Sequence, residues 1–374
     1  MLTEFDVLVV GDANPDLLLR GDVRPRFGQE EQLLTAAELV LGGSAAITAV
    51  GCAKLGLRTA LLAAVGDDMF GALVREQLAG VHLVSPEAGG RPTGLTVILS
   101  EPDDRAMLTL PGTISALRPE DVTGELLACA RHVHVASLYL QPALAKGLAG
   151  VFERARTLGR TTSLDTNWDP AGEWASIEDI LEHTDYFLPN AAELLAVTTA
   201  ARQRKAAPSA GATTSAGATT SAGATASGGV TASAGAETSV EAATSAGATA
   251  SAGAATSVEA ATLARAATSA GVEAAADAGE AAAELVARGT TVVMKDGARG
   301  ARAWWPGGEC AVPGKAVEVV DATGAGDSFN AGFLAARLEG RVMAEAVRWA
   351  AVAGSLSTRA AGGTAAQATR QDLV

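Results

Sequence analysis

The sequence predicts an α/β protein whose mostly parallel central sheet carries helices on both faces. Three observations lead there. Short apolar, β-branched runs recur along the chain, helical patterns lie between many of them, and polar, glycine-bearing stretches follow several runs. Strands buried on both faces read as continuous apolar runs, and alternation with helices makes their sheet mostly parallel. Ligands of such sheets bind beyond the carboxyl ends of the strands, where these polar stretches fall.

In chain order, the expected strands are Val7 to Val10, Ala60 to Val65, Leu95 to Leu99, Val133 to Ala136, Thr161 to Leu164, Tyr186 to Leu188 and Thr291 to Met294, with Ala316 to Val320 reading as one more. Gly43 to Leu55 has a helical pattern ended by Gly56, and Ala143 to Leu158 has one ended by Gly159. Phe329, Phe333, Leu334 and Leu338 recur at helical spacing up to Gly340, and Met343 to Ser357 forms a late helix.

The most chemically loaded stretch opens the helix before Gly340. Asp321-Ala-Thr-Gly-Ala-Gly-Asp327 sets small residues between two carboxylates where a loop turns into a helix. Gly324, Ala325 and Gly326 then fall in the first helical turn, where backbone N–H groups lack partners and the helix dipole favours an anion. Glycine and alanine let a phosphoryl group approach the backbone. A carboxylate beside bound phosphate repels it, so the economical role for Asp327 is general base toward an attacking hydroxyl. Asp and Ser are also ordinary capping residues, and Gly-Ala-Gly also makes plain turns.

Composition narrows the class. The 374 residues carry a formal net charge of −14, which opposes nucleic acid and anionic membrane surfaces. Cys52, Cys129 and Cys310 are scattered and odd in number, and read as reduced core residues. With no basic leader and no apolar stretch of 18 residues, a soluble cytoplasmic protein is expected.

The middle of the chain departs from this pattern. From Ser209 to Ser257 a serine returns every six residues, and Trp, Tyr and Phe are missing between 198 and 285. A hexapeptide β-helix needs a bulky aliphatic residue in each repeat, whereas the fixed positions here are Ser, Ala and Gly. Such a segment buries too little apolar surface to offset its ordering entropy, so 198–285 is expected to be a largely disordered insertion, with a helix at 272–285 where Ala, Glu and Leu return. The folded domain would comprise 1–197 and 286–374.

Four landmarks together carry a family resemblance: Gly11-Asp-Ala-Asn-Pro-Asp16, Gly42-Gly-Ser-Ala-Ala46, Asn190-Ala-Ala-Glu193 and Asp321 to Asp327, supported by Val65 to Gly71 and Lys295-Asp-Gly-Ala-Arg-Gly300. In order and spacing the chain resembles the PfkB-type carbohydrate kinases of the ribokinase-like family, from about residue 5 to about 365. The resemblance implies a small β lid, built from roughly 17–40 and 92–110. It also implies ATP-dependent phosphorylation of a hydroxyl on a small sugar or sugar derivative.

Residue by residue, it implies Asp327 as base with Gly324 to Gly326 as anion hole. Asn14, Asp16, Gly42 and Gly43 would hold the acceptor. Asn14 and Asp16 pair an amide with a carboxylate suited to adjacent hydroxyls, although an Asx turn around Pro15 gives the same residues. The family often has Asn where this chain has Ile47, which implies a less polar acceptor contact there. Asn190, Lys295, Gly297 and Gly300 would lie on the nucleotide side. Glu193 with Asn190 would organise Mg²⁺ through its waters, although their spacing is equally that of a capping box. Asp321 and Thr323 resemble positions that support a monovalent cation such as K⁺. Asp165 and Asn167 follow a strand and either line the cleft or form an ordinary loop. Expected partners are a small polyol and a second copy in a homodimer. A nucleoside kinase of the same fold and a non-catalytic sugar or nucleotide sensor are the alternatives. A dinucleotide oxidoreductase lacks its G-x-G-x-x-G after the first strand.

Overall fold

The computed structural model describes residues 4–101, 105–206 and 277–374. The chain enters through β1 (Phe5–Val10), then makes β2 (Asn14–Gly21) and β3 (Leu34–Gly42) before helix α1 (Ser44–Lys54). There follow β4 (Thr59–Leu62), α2 (Met69–Gln77), β5 (Val81–Val84), β6 (Leu95–Ser100), β7 (Arg105–Leu110) and α3 (Gly124–Cys129). Strands and helices then alternate: β8 (Ala130–Val135), α4 (Pro142–Thr157), β9 (Thr161–Leu164), α5 (Ile177–Leu181), β10 (Tyr186–Phe187) and α6 (Ala191–Ala206). After a helix over 277–286 (α7) come β11 (Thr291–Lys295), β12 (Ala301–Trp305), β13 (Gly308–Val312), α8 (Ala325–Leu338), α9 (Met343–Ser357) and α10 (Arg370–Leu373).

Among the described residues, nine strands form one sheet in the order β13-β12-β11-β10-β9-β8-β1-β4-β5, and four form a second, β3-β2-β6-β7. The large sheet is parallel from β11 to β5, and only the β11-β12-β13 edge is antiparallel. Alternate side chains of β1 explain the two layers. Val7 and Val9 join a core with α1, α8 and α9, including Phe333 and Trp349, while Leu8 and Val10 join one with α3 to α7, including Phe152 and Leu194. Val7 to Val10 of β1 are therefore apolar on both faces, which is why this run was legible.

Leu95 to Leu99, read as a strand and inside the 92–110 stretch expected to build the lid, forms β6 of the small sheet and pairs with β2 and β7. Several boundaries differ from expectation. Ala316 to Val320 is not a strand. Val319 and Val320 are exposed, and the N–H groups of Val320 and Asp321 both donate to the Thr358 carbonyl at the end of α9. The β12-β13 hairpin forms the edge beyond β11, and its mixed composition hid it in the sequence. The boundary expected at 197/198 falls inside α6, which continues to Ala206. Ala278, Ala281, Ala282 and Leu285 are buried in the second core, so α7 belongs to the domain. The described residues among 1–205 and 274–374 form one compact unit. The serine repeat lies outside the described residues.

Candidate active site

β2 and β3 run on from the small sheet to the mouth of the large one, and this positions the first cluster. Asn14 and Asp16 open β2, which rules out a turn around Pro15. Asn14 Nδ2 donates to Asp16 Oδ1 at 3.0 Å, and also reaches Thr96 Oγ1 of β6 at 3.4 Å. Both residues are buried. Gly42, paired with Asn14 across the strands, lies directly under the Asp16 carboxylate, and any side chain there would strike it. Gly43 has φ 84°, and a Cβ would sit 2.8 Å from the Asp12 carbonyl. Only glycine serves at either position.

Asp12, between β1 and β2, was passed over in the sequence although it stands inside a quoted landmark. Its Oδ1 accepts the Ala45 N–H at 2.9 Å and its Oδ2 the Ser137 hydroxyl at 2.8 Å. Burial pushes its carboxyl up against those bonds. Burial, then the Asp12 charge, raises Asp16 to about 7. Asn167, after β9, holds the same corner: its Oδ1 accepts the Ser137 N–H at 3.0 Å and its Nδ2 donates to Ser44 Oγ at 2.8 Å. Asp165 and Asn167 thus tie together residues of other elements at the end of β9.

The second cluster gathers on α8. Gly324, at φ 70°, caps the helix, and Asp327 is buried in its first turn. Burial, reinforced by the Asp165 charge and opposed by Lys295, holds the Asp327 carboxyl well above the usual range. The Lys295 side chain at the end of β11 lies beside Gly326, where a Cβ would be 3.5 Å from Nζ. Its ammonium pairs with Asp165, whose Oδ2 also accepts Asn330 Nδ2 at 2.6 Å. Burial disfavours both charges, yet their mutual attraction prevails: Asp165 is held below the usual range and Lys295 above its own. One positive charge is therefore fixed next to the Gly324 to Gly326 turn. Neither Asn330 nor Ser137 has a local sequence signal, because only the packing of α8 and β8 brings them here.

Asn190 and Glu193 form a reciprocal cap at the start of α6. Asn190 N donates to Glu193 Oε2 at 2.8 Å, and Glu193 N donates to Asn190 Oδ1 at 2.9 Å. Burial, then Asp165, raises Glu193 to about 7. Among the described residues no cluster of three or more His, Cys, Asp or Glu is arranged to hold a metal directly. Asp321 accepts the Thr323 N–H at 2.9 Å and the Gly362 N–H at 3.0 Å, and reaches Arg20 of β2 at 3.3 Å. Burial raises its carboxyl, but these partners outweigh that and hold it below the usual range. Thr323 Oγ1 is buried without a partner among the described residues.

Three residues stand apart from the clusters. Ile47, 2% exposed on α1, packs against Gly324 and Gly363, behind the N-terminal turn of α8. Gly300 (φ 104°) turns the β11-β12 hairpin against the carbonyl of Val312, and Gly297 (φ 56°) has open space about its α-carbon. These are turn requirements that account for both glycines without a ligand.

A family model described as pfkB family carbohydrate kinase matches residues 4–216 and 258–370. The ATP-dependent ribose-1-phosphate kinase of Halopiger xanaduensis is 32% identical over 163 residues, which cover 42% of this chain and 53% of that one. The chain thus spans about half the length of the curated relatives it matches. The structure of Arabidopsis thaliana ribokinase complexed with ribose and ATP superposes with a TM-score of 0.67 at 21% identity, covering 100% of this chain and 98% of that one. A putative ribokinase II from E. coli, in complex with ATP and Mg²⁺, gives 0.66 at 17% identity, covering 98% and 97%. At these identities the two structures establish a shared ribokinase-like fold.

Proposed function

We propose, from the premise that the chain belongs to the pfkB family of carbohydrate kinases, that it transfers the γ-phosphoryl group of ATP to a hydroxyl of a small sugar or sugar derivative. The observation that carries this reading is Asp327, a buried carboxylate in the first turn of α8 with Lys295 beside the same turn. Backbone N–H groups of Gly324 to Gly326 receive the phosphoryl oxygens. Lys295, anchored on Asp165, adds a fixed positive charge where negative charge develops. Asp327 takes the proton of the attacking hydroxyl, and its raised affinity for a proton makes it a competent acceptor.

Asn14 and Asp16 orient the acceptor from the lid side. An amide beside a carboxyl at this mouth meets adjacent hydroxyls, so a neutral polyol fits best. Gly42 and Gly43 let it approach the backbone. Lys295 and Asn190 mark the nucleotide side, with the turn of Gly297 and Gly300 beyond them.

Glu193 and Asn190 each give one oxygen to their mutual cap, and a carboxylate retains further lone pairs for the waters of Mg²⁺. The ion, when bound, neutralises charge on the ATP phosphates. The orphaned Thr323 Oγ1 beside Asp321 suits a monovalent cation such as K⁺. For a homodimer we look to the lid sheet, where Leu39, Met107, Leu108 and Leu110 are exposed. A cytoplasmic location accords with the described residues, in which no helix is long and apolar enough to cross a membrane.

The test is ATP consumption over a panel of neutral pentoses and hexoses, sugar acids, sugar phosphates and nucleosides. Turnover is expected with neutral sugars. Consumption with none of the panel would sink the kinase reading, and preference for an acid or phosphate would sink the acceptor assignment.

A further inference from the structure

At the opposite end of the central sheet from Asp327, where β8, β9 and β10 begin, a cavity of about 300 Å³ opens under the last turns of α8. That is about ten waters' share of liquid volume, room for a small organic molecule. Two guanidinium groups line it, Arg131 and Arg337, together with His132, Thr161, Tyr186 and the apolar Leu334. Among the described residues no carboxylate does.

The charges around it are only partly answered. Arg131 donates to the Leu338 carbonyl at 2.9 Å and lies 3.4 Å from Asp6, but Asp6 is held more closely by Arg58, at 2.9 Å. Arg337 donates to the Arg341 carbonyl and reaches the Tyr186 hydroxyl at 3.4 Å. Its Nε, shut off from solvent, has no partner among the described residues. His132 brings no charge of its own: burial, and then His134, lower its pKa to about 3, while its two ring nitrogens engage the hydroxyls of Thr161 and Ser163 at 2.7 Å each. The proposed kinase chemistry uses none of these groups.

We infer that this cavity binds a small organic oxyanion, a carboxylate or phosphate ester with a flat or apolar body. Guanidinium groups match the oxygens of either anion. Tyr186 and Leu334 supply a face for the body, the mixture of apolar wall and few polar groups that small-molecule sites use. The site is separate from the phosphoryl-transfer centre, and its occupancy does not depend on that reading.

Calorimetric titration of the full chain with benzoate and with phenyl phosphate tests this, at low ionic strength and with a non-hydrolysable ATP analogue in excess. At least one probe should bind with a Kd of about 1 mM or tighter, and both Arg337→Gln and Arg131→Gln should weaken it about tenfold or more. Stronger binding of phenyl phosphate would identify a phosphate ester as the natural class, and of benzoate a carboxylate. Each variant is first checked for an unchanged melting curve. Arg131, half-exposed, is the variant that decides the matter if Arg337→Gln does not fold. Absence of binding by both probes, or binding that the folded variants leave unchanged, overturns the assignment.

Discussion

Asp16 and Asp327 show how one physical cause, burial of a carboxylate, makes a site measurable in two ways. Asp16 is raised to about 7 by burial and then by Asp12. The folded chain therefore binds more protons at this residue than the unfolded chain between pH 3.8 and about 7, and stability is lost as pH rises through that window. Asp16→Asn removes the loss. Its Tm should exceed the wild type's by at least ~2 °C at pH 8 and match it at pH 4, in parallel thermal melts; an equal offset at both pH values would show that Asp16 is not the group responsible. For Asp327 the raised carboxyl must lose its proton to act as base, so kcat/KM should fall with acid, along a limb above the ordinary carboxylate value of 3.8. Asn14, Asp16 and Asp327 were legible because their chemistry sits in short motifs. Asp12 was overshadowed by its neighbours, and the Lys295-Asp165-Asn330 contact was invisible because it joins three separate elements.

The Asn190-Glu193 cap holds the start of α6 with the same side chains that we propose to organise Mg²⁺. Gln at 193 keeps an oxygen able to accept the Asn190 N–H, so the helix start should survive Glu193→Gln while the negative charge is lost. The Mg²⁺ concentration for half-maximal activity should rise about tenfold with Tm within ~2 °C of the wild type's, whereas Glu193→Ala should lower Tm as well. If Glu193→Gln melts early and its Mg²⁺ dependence stays put, the pair is a cap and nothing more. Sequence reading did best where the pattern is uninterrupted, as in the apolar run Val7 to Val10 of β1 and the helical spacing of α9. It failed at Ala316 to Val320, where an apolar run is used to cross the end of α9, and at β12-β13, whose mixed composition gives an edge hairpin no apolar signature.

On the scale of the whole molecule, both apolar cores are built from residues on either side of the serine repeat, and α6 and α7 pack into the second of them. Closing a loop between two fixed helices depends weakly on its length. Replacing 208–262 with a short Gly-Ser linker should therefore leave cooperative unfolding and kinase activity within about twofold of the intact chain, and loss of cooperative melting would assign the repeat a structural part. The general architecture and the helix that became α7 were readable, but the junction at α6 was not, because alanine-rich helix and alanine-rich repeat look alike until packing separates them. The central claim is that a base on α8 drives phosphoryl transfer from ATP to a hydroxyl. Its most direct test is single-turnover phosphoryl transfer to the preferred sugar by the wild type and by Asp327→Asn, with ATP affinity measured on both. The account predicts a rate lower by at least ~10²-fold at unchanged ATP affinity. Transfer at near wild-type rate by the folded variant would contradict it.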